Sequence, residues 1–329
     1  MTPAQILVIS DSLHTLPKAV KALATSGHNV TYLNDLIPFA EVRAQGLADI
    51  AHADAIVMGR VMGCDAAALD FAPRARVIAL HTSGTDNVDL AAASVRGIAI
   101  TNCKGVNAEQ CAEFSIGLML ALTRQIRRGD IAIRAGRWAA DTQGSMDVFG
   151  ATFGMIGLGQ IGRAAARRAK AFGMNIICHT RTPDPVIGAE LGITYLSLDE
   201  VMKRSDVVNV FASLNASTRQ MVGRREIALM PPHAYFVNIA RGELVDEAAL
   251  TEALQSGRIA GAALDVFETE PLTESPLFAL DNVILTPHQA GLTHRAKSDA
   301  AVTAVHNALA VLADETPPNL VNSPAGAKA

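Results

Sequence analysis

Short, nearly continuous runs of Val, Ile, Leu and Ala alternate along the chain with longer stretches whose apolar positions recur at helical spacing. The runs predict strands over 5–10, 28–33, 55–59, 76–80, 97–101, 153–157, 175–179, 206–211, 234–239, 261–267 and 282–286. Several are nearly continuous in apolar residues, as in Val207-Val-Asn-Val-Phe211 and Ala262-Ala-Leu-Asp-Val-Phe267. That pattern suits parallel strands covered on both faces. Helical patterns lie between them, 160–171 and 247–256 for example, and the alternation gives an α/β fold with parallel sheets. One long helical stretch, 108 to about 128, separates two such series and is apolar almost all round, so it is expected to be buried. A last helix over about 293–313 belongs to a tail too short for its own core, and it must pack on an earlier unit.

Composition narrows the class. Half of the residues are hydrophobic and 18% are charged, which excludes a disordered chain or a disulfide-dense miniprotein. The formal charge is −4 and no basic stripe appears, so nucleic acid and anionic membrane are not expected partners. Cysteines 64, 103, 111 and 178 show no zinc-ligand spacing, and they read as reduced thiols of a cytoplasmic protein without a metal. No signal-peptide pattern precedes the first strand, and the longest apolar stretch, about 114–122, is too short to span a bilayer.

Chemistry enters at Gly157-Leu-Gly159-Gln160-Ile161-Gly162, a G-x-G-x-x-G that follows a strand and opens a helix. Glycine permits the tight turn, the close approach of backbone to a pyrophosphate, and tight helix–strand packing. The helix start then offers unpaired N–H groups to the phosphates. An ordinary glycine turn is the competing reading. The strand before, the helix after and a second strand at the right distance favour a dinucleotide. That second strand ends at Thr180-Arg181, where an NAD-binding protein places an acid for the ribose 2′-hydroxyl. A small polar residue followed by a guanidinium favours the 2′-phosphate, so NADP(H) is expected in preference to NAD(H), which stays possible. Against this stands a merely solvated arginine.

Three residues follow three different strands at their carboxyl ends, where open parallel sheets bind ligands. They are Arg241, Glu270 and His288. Any one alone would read as solvated or capping. Together they suit hydride transfer to or from a 2-oxo acid: Arg binds the carboxylate, His carries the alcohol proton, and the carboxylate stabilises the imidazolium.

With these motifs the chain resembles the D-isomer-specific 2-hydroxyacid dehydrogenases over nearly its whole length. The resemblance rests on Ser83-Gly84-Thr-Asp86-Asn87-Val-Asp89, Gly105-Val-Asn107, Cys111-Ala-Glu113 and the glycine loop. It rests most on Val237-Asn-Ile-Ala-Arg241-Gly242-Glu-Leu-Val-Asp246-Glu247, Asp265-Val-Phe-Glu-Thr-Glu270-Pro271 and Thr286-Pro-His288-Gln-Ala-Gly291. It implies two doubly wound parallel-sheet domains, a Rossmann-type dinucleotide domain (104–290) inserted into a smaller flavodoxin-like substrate domain (1–103 and 291–329). It also implies that Arg241, Glu270 and His288 are catalytic and that Asp265 bonds the nicotinamide carboxamide. Ser83 and Gly84 would meet the substrate carboxylate. Cys111, Gln160, Ile161, Ala212, Ser213, Ile239, Ala240, His288 and Gly291 would join the glycines, Thr180 and Arg181 around the cofactor. The resemblance also implies a homodimer joined through the nucleotide domains. Arg134-Ala-Gly-Arg-Trp138 looks like the interface arm, with Trp138 either reaching the partner's cleft or simply anchoring the contact.

Departures set the alternatives. Lys104 and Cys111 stand where many members have Pro and Val or Thr, and Ser213 replaces a common Pro. Arg60 ends a substrate-domain strand and is a candidate for an anionic substrate, against a solvated arginine. The expected activity is reduction of glyoxylate or hydroxypyruvate. A bulkier or more anionic 2-hydroxy acid, phosphoglycerate-like included, is the second reading, disfavoured because no further regulatory domain follows. A nucleotide-sensing corepressor of C-terminal-binding type is the third, disfavoured by the missing terminal extensions and the missing acid after the second nucleotide strand.

Overall fold

In the computed structural model, which describes residues 2–10, 12–33, 49–59, 63–138 and 145–325, every pairing between named strands is parallel. The chain begins with β1 (Gln5–Ile9), α1 (Pro17–Ala24), β2 (Asn29–Leu33), β3 (Ala55–Met58), α2 (Ala66–Leu69), β4 (Val77–Leu80), α3 (Leu90–Val95) and β5 (Ala99–Thr101). Next come α4 (Ala108–Thr123), α5 (Ile126–Arg134), β6 (Thr152–Ile156), α6 (Gln160–Ala171), β7 (Asn175–His179), α7 (Pro185–Leu191), β8 (Ile193–Tyr195) and α8 (Leu198–Arg204). The rest is β9 (Val207–Val210), α9 (Arg224–Ile227), β10 (Tyr235–Asn238), α10 (Glu247–Gln255), β11 (Gly261–Leu264), β12 (Val283–Leu285) and α11 (His294–Leu312).

Two compact units result, Met1–Asn107 with Thr293–Ala329, and Ala108–Leu292. The first carries a five-stranded sheet in the order β2-β1-β3-β4-β5. Its tail does pack on it: α11 lies against α1, β3 and β4 through buried Ala301, Ala304, Val305 and Ala308. These small side chains let a helix sit close over Val8, Val57 and Ala79, so the tail completes a core that the preceding residues start.

The second unit carries seven strands in the order β12-β11-β10-β9-β6-β7-β8. The order reverses between β9 and β6, where a crevice for ligands opens beyond the strand ends. Its central strands are buried on both faces, in keeping with their nearly continuous apolar runs.

Two sequence expectations need correction. The helix expected over 108 to about 128 is two helices, α4 and α5, because Gln125 takes a left-handed backbone with φ of 52°. β8 was not expected at all. Only three residues long, it sits on the edge of the sheet and buries only Ile193 fully. All four cysteines are buried and unpaired. No described helix is long and apolar enough to cross a membrane.

Candidate active site

The turn after β6 is shaped by crowding. Gly157 has φ of 101°, and a Cβ there would lie 2.7 Å from the Ala212 amide nitrogen and 2.8 Å from the Phe211 carbonyl carbon. A Cβ on Gly162 would lie 2.8 Å from the Gly157 carbonyl oxygen. The protein itself therefore demands glycine at both positions. Gly159, the N-cap of α6, is different: a Cβ there would meet no atom within 4 Å. The open space over the middle glycine, at the start of a 12-residue helix, is where a pyrophosphate would approach. The loop thus fits a dinucleotide, with Gln160 and Ile161 in the first helical turn. Ala212 and Ser213 leave the end of β9 beside it, Ala212 half-buried and Ser213 exposed. Thr180, half-buried, and Arg181, exposed, follow β7.

The end of β10 builds a second loop. Buried Asn238 accepts from the Ala240 N–H through Oδ1 (3.0 Å) and donates through Nδ2 to the Arg241 carbonyl (2.9 Å). One amide thus fixes the backbone of Ile239, Ala240 and Arg241. Gly242 lies directly on the next loop, where a Cβ would come 1.9 Å from the Phe267 carbonyl carbon. Gly242→Ala is therefore expected to push the Arg241 loop off the Phe267–Glu270 segment. It should cost about 1–3 kcal/mol of stability and lower activity with it. A denaturant midpoint and turnover both equal to wild type would show that the two loops need not touch.

The third and fourth loops hold the titratable pair. The Phe267 N–H donates to Glu270 Oε1 (3.2 Å), and the Glu268 N–H donates to Glu247 Oε2 (3.0 Å), bracing the segment against α10. Burial pushes the Glu247 carboxyl up; the hydrogen bond from the Glu268 N–H opposes the shift, and the Glu268 charge adds to it. Glu270 Oε2 lies 2.7 Å from His288 Nδ1. A carboxylate can only accept here, so Nδ1 carries the hydrogen.

His288 itself has φ of 50°, a conformation that costs a non-glycine residue on the order of 1 kcal/mol. Asp265, fully buried at the end of β11, holds it there. Its Oδ1 accepts from Thr286 Oγ1 (2.6 Å) and the Gln289 N–H (2.9 Å), and its Oδ2 accepts from the Ala290 N–H (2.9 Å). These three bonds fasten the chain on both sides of the histidine, with Gly291 directly after. Cys111 on α4 is buried within reach of both Asp265 and Arg241. Burial and the Asp265 charge push its thiol up to about 12, while Arg241 opposes them. A thiol at that value stays protonated at neutral pH and is no nucleophile.

In the second unit, then, the strand ends bring Arg241, Glu270, His288, Asp265 and the glycine loop to one edge of the sheet. Sequence reasoning missed Asn238, Gly242 as a close approach, Glu247 and Thr286. Only Asp246, an acid just before a helical pattern, carried a readable signal, and it caps α10 by accepting from the Ala249 N–H (2.9 Å). Ser83 and Gly84 belong to the first unit, at the end of β4. Ser83 Oγ lies 3.0 Å from the Cys103 carbonyl and 3.1 Å from Asn107 Oδ1, and Asn102 Nδ2 donates to the Ser83 carbonyl (2.8 Å). Arg60 lies outside the described residues. Trp138 is 85% exposed, and Lys104 is exposed as well. Among the described residues no group of His, Cys, Asp or Glu is placed to hold a metal ion.

Known proteins resemble this chain in sequence and fold. Residues 116–290 match the family described as D-isomer specific 2-hydroxyacid dehydrogenase, NAD binding domain. A glyoxylate reductase of Thermococcus litoralis is 39% identical over 292 residues, covering 87% of this chain and 88% of its own. A D-3-phosphoglycerate dehydrogenase of Mycobacterium leprae is 37% identical over 86% of this chain but only 54% of its own. Among solved structures, an NADPH-dependent glyoxylate/hydroxypyruvate reductase from Sinorhizobium meliloti, in complex with NADP and malonate, superposes with a TM-score of 0.85. It is 32% identical and covers 98% of both chains. The chain belongs to the D-isomer specific 2-hydroxyacid dehydrogenases, NAD(P)-dependent oxidoreductases with two parallel-sheet α/β domains.

Proposed function

We propose that the protein reduces small 2-oxo acids of the glyoxylate and hydroxypyruvate kind to D-2-hydroxy acids, using NADP(H) in preference to NAD(H). The observation that carries this reading is the 2.7 Å pair of His288 Nδ1 and Glu270 Oε2, at the same sheet edge as Arg241 and the glycine loop. Reductases of those two acids among the relatives support the substrate class.

A reduced dinucleotide held by its pyrophosphate at the glycine loop would supply the hydride from its nicotinamide. Arg241 binds the substrate carboxylate and polarises the 2-oxo group. His288, with Nδ1 engaged by Glu270, delivers a proton from Nε2 to the oxygen as it becomes an alkoxide. Glu270 stabilises the imidazolium until the proton leaves. Asp265 keeps His288 in its left-handed turn and takes the nicotinamide carboxamide. Ser83 and Gly84, in the unit we assign as the substrate domain (1–103 and 291–329), meet the substrate carboxylate with backbone. The inserted segment, 104–290, is the dinucleotide domain.

The exposed apolar side chains Ile126, Ile131, Ile133 and Trp138 on and after α5 suit a homodimer through this domain. Light scattering that reports a monomer would contradict that assembly. Four buried free thiols suit a reducing, cytoplasmic compartment.

A steady-state panel of 2-oxo acids with both cofactors tests the substrate reading. Glyoxylate and hydroxypyruvate should give the highest kcat/KM. A higher value for a phosphorylated or long-chain acid would move the assignment to the bulkier, more anionic class that the phosphoglycerate dehydrogenase relative represents.

A further inference from the structure

The loop that reads the cofactor's 2′ position is tied to the glycine-loop helix by an ion pair that the dinucleotide motif does not require. Arg163, in the first turn of α6, donates through Nη2 to Asp184 Oδ2 at 3.0 Å. Asp184 is the one carboxylate in the segment Thr180-Arg181-Thr182-Pro183-Asp184. Its other oxygen, Oδ1, accepts from the Val186 and Ile187 N–H groups at 3.1 Å each, capping α7. The Tyr195 hydroxyl holds its backbone, donating to the Asp184 carbonyl at 2.7 Å and accepting from the Asp184 N–H at 3.3 Å. Tyr195 is itself packed against Gly188, where a Cβ would lie 2.8 Å from the ring. Asp184 is thus fixed from α6, α7 and β8, three residues beyond Arg181.

A fixed carboxylate here works against a 2′-phosphate in two ways. It would repel the phosphate and, three residues beyond Arg181, would compete with it for that guanidinium. We propose that Arg163 and Asp184 form a specificity-determining pair: Asp184 anchors the loop, and Arg163 cancels its charge so that Arg181 acts on the 2′-phosphate unopposed. This rests on the NADPH reading above.

The test measures the dissociation constants of NADPH and NADH on the cofactor-free protein, by titration calorimetry and without turnover. Arg163→Met uncovers the carboxylate and should lower the NADPH-over-NADH affinity ratio about fivefold, less at high salt. Asp184→Asn keeps a good helix cap and should hold or raise the ratio. The double variant Arg163→Met/Asp184→Asn should return the ratio to within about twofold of wild type, since no charge is then left uncancelled. An unchanged ratio in Arg163→Met, or a double variant as impaired as that single one, overturns the proposal. Should Arg163→Met fail to fold, adding it to the Asp184→Asn background decides: a fall of about fivefold there means that Arg163 acts on the phosphate directly, and the proposal fails. If wild type binds NADH more tightly, the NADPH reading fails instead, and the ratios among variants still judge the pair.

Discussion

Replacing His288 with alanine is expected to lower kcat by about 10²- to 10⁴-fold, the scale of losing a positioned general acid. NADPH binding should largely survive, because His288 would meet only the nicotinamide end, whereas the glycine loop and the end of β7, expected to hold the phosphates, rest on Gly157, Gly162 and their own packing. The loss should appear in kcat and kcat/KM alike, as for an interaction made only in the transition state. Near-wild-type turnover would remove His288 from the mechanism. Glu270→Gln should act in the same direction but more mildly. With the carboxylate 2.7 Å from Nδ1 replaced by an amide, the ring loses the acceptor that orients it for proton delivery. Turnover equal to wild type would show that Glu270 is not the histidine's partner.

Cofactor choice is the second large effect. Arg181 is exposed after β7, and no acid occupies Thr180. A charge-assisted pair between its guanidinium and the 2′-phosphate should contribute on the order of 1.5–3 kcal/mol, or about 10- to 100-fold in preference. Exposure and salt pull the value toward the low end. Arg181→Ala should erase the preference chiefly through KM for NADPH, because the 2′-phosphate is remote from the reacting carbon and binds ground and transition states alike. Thr180→Asp should reverse it, adding repulsion to the phosphate and a partner for the ribose hydroxyls. An NADPH/NADH ratio unchanged in Arg181→Ala would reduce the arginine to a solvated side chain.

Every named strand except β8 could be read in advance, most plainly those buried on both faces. β6, β9, β10 and β11 are nearly continuous in apolar residues because helices or other segments cover both sides. β8 escaped because an edge strand of three residues with one fully buried side chain leaves no periodicity to detect. The break at Gln125 escaped for a different reason: the chain turns there without glycine or proline, so no local signal marks it. The site divides in the same way. The residues proposed to act on a ligand, Arg241, Glu270 and His288, stand at strand ends and were visible as such. Their supports were not. Asn238 sits inside a run that reads as plain buried strand, and Asp265, expected at the cofactor, also holds the histidine loop through bonds closed only by folding. Gly242 reveals itself only when Phe267 is brought against it, and Arg163 finds Asp184 across 21 residues of sequence.

The central claim, NADPH-dependent reduction to the D-2-hydroxy acid, is tested most directly by the configuration of the product from hydroxypyruvate. Incubation with NADPH, followed by chiral separation of the glycerate formed, should yield the D enantiomer alone. L-glycerate, a racemic mixture, or no glycerate in a preparation that binds NADPH would contradict the account.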